Sequence, residues 1–340
     1  MALDVPASSS NAERRLEEAP EERVADDSPM ARRAAGIAER AARRGSTTRI
    51  VTPTISVRQR LREIWMSREL LVYLVRTEIK VKYKNSVLGI IWSMIAPAMT
   101  LAIYFFVFQI ILGNHIPYFV IFLFAGLLLW NLFQLGVQTG TGVVVNNSGI
   151  VKKVSFPREI LSLAAVGSAC VFFAFQVIVL IIFMVVLHHA PDWSYFPVML
   201  LALVTGIVLA SALAVLLSAI NVYLRDMEHL ILVVLTAWFW ACPIVYAYQY
   251  NIGNKLGPKG LTWIYFLNPM VAPILSFQRF IYADVTVKIA GQPKPYPVLP
   301  PNGMLWYVGL DFAVLFLSAI LFLIALSVFG RLEGNFAEEL

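Results

Sequence analysis

From Gly89 to Leu112 the chain runs 24 residues without a formal charge. At about 1.5 Å of rise per helical residue, such a run crosses a hydrocarbon core roughly 30 Å thick with length to spare. Backbone amides in lipid must find partners within their own segment, so the run predicts a membrane-spanning helix. Lys80, Lys82 and Lys84 stand just before it. A lysine at mid-bilayer costs on the order of 3 kcal/mol, which holds this cluster on the cytoplasmic side and starts the first span there.

Five more apolar runs follow, giving expected spans at about 89–112, 118–135, 160–187, 198–220, 230–248 and 304–329. With 59% hydrophobic residues the chain lies well above the roughly 45–50% of soluble domains. The expected class is an all-α integral membrane protein with six spans. Ahead of them, residues 57–87 place Leu61, Ile64, Trp65, Leu70, Leu71, Leu74, Val75 and Ile79 among arginines, a spacing that predicts an amphipathic helix lying along the headgroups. Residues 1–56, rich in Ala, Arg, Glu and Ser, read as a disordered cytoplasmic tail. No signal-peptide pattern precedes the first span, so that span is expected to direct insertion itself.

Charge is distributed unevenly. Residues 1–87 hold 17 Lys and Arg against 12 Asp and Glu, and the rest hold 10 against 9. Because acidic residues interleave with the arginines, a basic nucleic-acid face is not expected. The polar stretch 146–160, with Lys152, Lys153 and Arg158, and the short link 221–229 fall on the cytoplasmic side by the positive-inside rule, as do both termini. Between the fifth and sixth spans, the apolar piece 261–278 is interrupted by Asn268-Pro269 and Pro273 and ends at Arg279. A broken re-entrant or interfacial hairpin on the outer side is expected there, with a seventh span as the alternative. Gly136 and Gly140 fit the small-residue spacing for close helix contact, or equally a flexible helix end.

Catalytic and metal motifs are missing from the sequence. No HExxH, Gly-x-Ser-x-Gly or phosphate-cradling Gly-x-x-x-x-Gly-Lys-Ser/Thr occurs, and Asp311 is the lone ionisable residue inside an expected span. Cys170 and Cys242 both fall in apolar runs, and the adjacent His188 and His189 point in different directions, so no metal site is expected. A transport subunit with no cofactor of its own fits this inventory, with any ATP and magnesium held by another polypeptide. What the spans do carry is aromatic surface: Tyr104, Phe105, Phe106 and Phe108; Trp130 and Phe133; Trp238, Phe239, Trp240, Tyr246 and Tyr248. Such rings can stack on the C–H faces of sugars, or simply pack in a core and at lipid interfaces.

Three stretches resemble one family. They are Arg68-Glu69-Leu70-Leu71 with Arg76 to Lys84 and Val87 to Trp92; Val151 to Glu159; and Leu267 to Met270 with Phe277 to Phe280. Together they are similar to ABC-2-type permeases, and within that group to the subunits that export O-antigen, teichoic acid and related lipid-linked polysaccharides. The resemblance implies two copies of the chain working with two copies of a nucleotide-binding ATPase subunit, the copies meeting through the first and fifth spans. It implies coupling to the ATPase through Arg76, Lys80, Lys82, Lys152, Lys153, Phe156, Pro157, Arg158, Glu159, Arg225 and Asp226. An outer hairpin would be marked by Asn268, Pro269 and Arg279. The channel would be lined by Tyr104, Phe105, Phe108, Trp130, Phe133, Trp238, Phe239 and Tyr246. The implied cargo is a cell-wall or surface glycan such as a galactan, in a cell-membrane protein. Export of a small hydrophobic drug or a lipid, and an intramembrane lipid enzyme using Asp311, are the other readings.

Overall fold

The computed structural model describes Gly36 and residues 57–84, 91–113, 116–287 and 296–340. The expected tail 1–56, Gly36 apart, and residues 85–90, which hold the end of the expected amphipathic segment and the start of the first span at 89, lie outside the described residues. One unit of the chain comprises Ile50–Lys152 and Pro157–Leu340. Lys153–Phe156 belongs to another and is described by itself: Lys153 is exposed and Phe156 is buried.

Helices dominate, as the apolar runs require. In order, the α-helices of four residues or more among the described residues are α1 (Val57–Met66), α2 (Arg68–Lys82), α3 (Trp92–Phe105), α4 (Phe119–Asn146), α5 (Ser148–Lys153), α6 (Glu159–Val186), α7 (Phe196–Tyr223), α8 (Met227–Trp240), α9 (Thr262–Tyr265), α10 (Val271–Tyr282), α11 (Met304–Leu332) and α12 (Phe336–Glu339). A two-residue antiparallel ribbon pairs Thr286 with Pro297 and Val287 with Tyr296. Five helical segments, those built on α3, α4, α6, α7 and α11, are long and apolar enough to cross a membrane, and α8 is a shorter apolar helix.

The core forms where small residues let helices approach. A Cβ on Gly140 would lie 2.6 Å from the Cβ of Ala214 on α7, and one on Gly136 would lie 3.3 Å from Val166 on α6. The two glycines thus seat α4 against two different helices, which is why α4 is buried on nearly every side. Ser162 of α6 donates to Ser218 of α7 at 2.8 Å inside the same packing.

Several elements differ from the sequence expectation. The second helix runs 11 residues past the expected end at Leu135, to Asn146, because its glycines are packing sites rather than breaks. The fifth stops at Trp240 instead of continuing to Tyr248: Pro243 cannot extend a helix, and Gln278 of α10 donates to the Pro243 carbonyl at 3.1 Å. At 14 residues, α8 spans only about 21 Å. The expected amphipathic helix is divided at Ser67 into α1 and α2. Instead of meeting only headgroups, α2 packs on α6, with Lys82 4.3 Å above the Phe172 ring and Tyr83 edge-on to that ring at 5.9 Å.

The apolar piece 261–278 breaks as Asn268-Pro269 demands. The short α9 is followed by α10, whose 12 residues are all buried. Asn268 holds the break together: its Oδ1 accepts from the Met270 amide at 3.0 Å and from Trp238 Nε1 at 2.7 Å, and its Nδ2 donates to the Ala241 carbonyl at 3.2 Å. Arg279 follows on the same buried helix, its guanidinium 4.4 Å above the Tyr195 ring and 4.0 Å from Asp192. His189 is fixed between the rings of Tyr118 and Tyr282, with its Nε2 3.1 Å from the Ile281 carbonyl.

Candidate transport surface and charge cluster

Two regions of the larger unit concentrate the chemistry. The first is aromatic. Tyr104 of α3 stacks on Phe239 of α8 at 5.8 Å, and Phe239 meets Trp130 of α4 at the same separation. Trp130 and Phe133 both contact Trp238, at 6.5 and 5.3 Å, and Phe108 lies edge-on to Tyr104. Six of the eight residues expected to line a channel therefore form one connected cluster. Phe105 is half-buried at its side, while Tyr246 lies apart and shares a 2.8 Å hydroxyl contact with Tyr265.

Burial divides this set. Phe133 has no exposed surface and Trp130 only 1%, so both are enclosed within the protomer. Beside this cluster Phe106, just past α3, is 53% exposed and Trp240 of α8 51%; Trp92 on α3 and Phe312 and Phe316 on α11 are also open. Among the described side chains of α3 only Leu101 is buried, and α8 buries just Ile231, Leu235 and Phe239, a stripe one residue wide at four-residue spacing. The aromatic cluster attaches these two helices to α4 and leaves most of their circumference unoccupied.

The second region is ionic and lies where α6 begins and α11 ends. Arg60 of α1 is bonded to Glu159 and, at 3.0 Å, to Glu333. Arg158 donates to the Glu333 carbonyl at 2.9 Å and stands 5.8 Å over the Phe336 ring, and the Tyr223 hydroxyl donates to the Leu332 carbonyl at 2.8 Å. Burial works against the Arg60 charge, but Glu159 and Glu333 outweigh it and raise the guanidinium pKa. Room for Arg60 comes from Gly330, where a Cβ would fall 2.6 Å from the guanidinium carbon. Of these residues only Arg158 and Glu159 were expected site residues. Arg60 is indistinguishable in sequence from its neighbours Arg58 and Arg62, and only the structure sets it apart, as the one buried residue of α1.

The remaining expected coupling residues are distributed more openly. Lys152, Arg225 and Asp226 are exposed, as are Arg76, Lys80 and Lys82, although the Lys82 ammonium stands over the Phe172 ring; Pro157 is half-buried. Glu78, one turn before Lys82, lies 2.7 Å from Ser168 Oγ of α6. Burial raises the Glu78 pKa against the pull of Ser168 and Lys82, and burial lowers that of Lys82 against the pull of Glu78. Asp311 is fully buried in α11 with neither carboxyl oxygen hydrogen-bonded. Among the described residues no three His, Cys, Asp or Glu side chains gather as a metal site would require.

Sequence comparison bears on what such an arrangement is. Residues 69–282 match the model of the ABC-2 type transporter family. The chain belongs to that family. It is a multi-pass membrane protein of the transport-subunit kind. Relatives include the O-antigen export system permease protein RfbA of Myxococcus xanthus, 30% identical over 65% of this chain and 84% of the relative. The protein of the same name from Klebsiella pneumoniae is 27% identical over 80% of this chain and 95% of its own length.

Proposed function

We propose that this chain is the membrane-spanning permease of an ATP-driven exporter that carries a lipid-linked polysaccharide from the cytoplasm to the outer side of the cell membrane. Two copies face one another across α3 and α8, and a separate ATPase subunit, also in two copies, drives them. The cytoplasmic side is the one bearing α1, the start of α6 and the end of α11, with both termini on it. The ATPase approaches the residues from Lys152 to Glu159 together with Arg225 and Asp226, while α9 and α10 form the outer hairpin around Asn268, Pro269 and Arg279.

One observation carries the reading: α3 and α8 are barely buried within the protomer and present Phe106 and Trp240 outward. A membrane-spanning helix that packs along a single stripe leaves its remaining faces to lipid or to a second protein surface, and flat aromatic faces let a glycan slide without a deep binding well. Family membership and the O-antigen export relatives support the cargo class. The test is depletion in the native cell, where intracellular lipid-linked polymer should accumulate. Normal polymer export with accumulation of a small hydrophobic compound instead would overturn the glycan assignment.

A further inference from the structure

Three separate stretches of chain bring four charged side chains to one place: Arg60 from α1, Arg158 and Glu159 at the head of α6, and Glu333 beyond α11. The set is neutral, two charges of each sign, with side-chain exposures of 7%, 20%, 1% and 15%. Taking such charges out of water costs about as much as their mutual attraction returns, so stability alone does not account for the arrangement. Buried ionic groups of this kind serve best where they fix one register among several.

The surroundings are fitted to Arg60 in particular. Gly330 gives the guanidinium its place: a Cβ there would fall 2.6–2.7 Å from three of its atoms, so Arg60 would have to shift away from its two carboxylates. Glu333 is shared, bonded to Arg60 and standing 3.9 Å from Arg158 Nε, so that α1 and the head of α6 are tied through the end of α11. Arg158 is held a second way, by the Glu333 carbonyl and the face of Phe336, and Phe336 is itself fully buried against Tyr223 and Phe329. The segment after α11 is thus a packed member of the joint.

We propose that Arg60 is the positioning residue of a coupling joint that makes α1, the head of α6 and the end of α11 move as one body. Displacement delivered at Arg158 and Glu159 then reaches the amphipathic helices and the last span together, instead of being absorbed between them. The proposal rests on the exporter reading for the direction of the force, and on the geometry alone for the rigidity of the joint.

Two measurements on the intact permease–ATPase complex in liposomes test it. The first needs no glycan: spin labels at Arg62 and Glu338, both exposed, should keep one narrow distance with and without ATP, and that distribution should broaden in Arg60→Met/Glu159→Gln. The double variant removes one charge of each sign, leaving Arg158 and Glu333 paired. The second is glycan moved per ATP hydrolysed, which should fall at least tenfold in the double variant and severalfold in Gly330→Ala. A merely structural role would lower folded yield and both rates together, leaving the ratio unchanged. A wild-type label distance that shifts with ATP overturns the joint, as does a wild-type ratio in the double variant or, should that variant fail to fold, in Gly330→Ala. A complex that holds the distance yet moves no glycan removes the exporter reading and leaves the joint standing.

Discussion

The helical segment that carries α3 on to Ile111 and the helix α4 are both uncharged and long enough to cross a membrane, yet 78% of the apolar window of α4 is buried within the protomer and only 6% of that of the α3 segment. Composition does not separate them; side-chain size does. In lipid the hydrophobic effect does not drive helices together, so packing depends on small residues that let backbones close up. α4 supplies Gly136 and Gly140 where α6 and α7 approach, whereas α3 carries Met99, Ile103, Phe106 and Ile110 as broad exposed side chains. α8 resembles α3, attached by its single stripe. The molecule therefore divides into helices packed within the protomer and helices with most of their surface left open.

The largest expected effect lies across that divide. Phe133→Ala removes a ring with no exposed surface and should cost about 3–5 kcal/mol, seen as a lowered melting temperature and lost folded yield in detergent. Trp240→Ala, on a ring about half exposed, should leave melting within about 0.5 kcal/mol of wild type while reducing glycan export. Equal losses of stability in the two would erase the division. Next in size is a matched pair on the outward faces. Val233 of α8 and Val185 of α6 are 68% and 69% exposed, so neither packs in the protomer. Val233→Trp should cut the dimer fraction about tenfold, worth roughly 1.4 kcal/mol of association, and Val185→Trp should not change it. Cross-linking in native membranes reads both, and a dimer indifferent to Val233→Trp would place the facing surfaces elsewhere.

How far the sequence carries depends on whether a feature is set locally. Charge-free runs locate the long helices because length and backbone pairing in lipid leave few alternatives. Asn268-Pro269 locates the break before α10 for a related reason: proline gives up a helix hydrogen bond, and unlike Pro97 inside α3 it follows an asparagine whose side chain holds the turn. Periodicity shows that residues 57–82 have an apolar face but not what covers it, and the structure sets α2 against Phe172 and Ser168 rather than against lipid alone. Trp130 and Phe133 look in sequence like any other channel aromatics, and only tertiary packing closes them in. Arg60, Gly330 and Glu333 carry no local signal at all, because their meaning comes from contacts made across 273 positions of chain. A glycine directly before an arginine at a helix end, as at Gly330-Arg331, reads as a stop; here it is room for a side chain from elsewhere.

The smallest expected effect concerns Glu78, where α2 meets the packed side of the divide. Ser168 Oγ is 2.7 Å from Glu78 and 3.0 Å from the Ala164 carbonyl, and its single proton serves one of them at a time. A protonated Glu78 resolves this by donating to Ser168, which then donates to Ala164. Burial raises the Glu78 pKa above its ordinary 4.5, so its stabilising contribution is complete below 4.5 and is lost as pH rises through the folded value. Lys82 shifts the other way, and its contribution is present above its ordinary 10.5, outside this window. Glu78→Gln retains a donor for Ser168 and removes the titration. The variant and the wild type should therefore melt alike below pH 4.5, and the variant should be ahead by about 1–2 °C at neutral pH. A gap of the opposite sign would mean that Glu78 is stabilised as an anion by Lys82, and that α2 is held to α6 by charge rather than by packing.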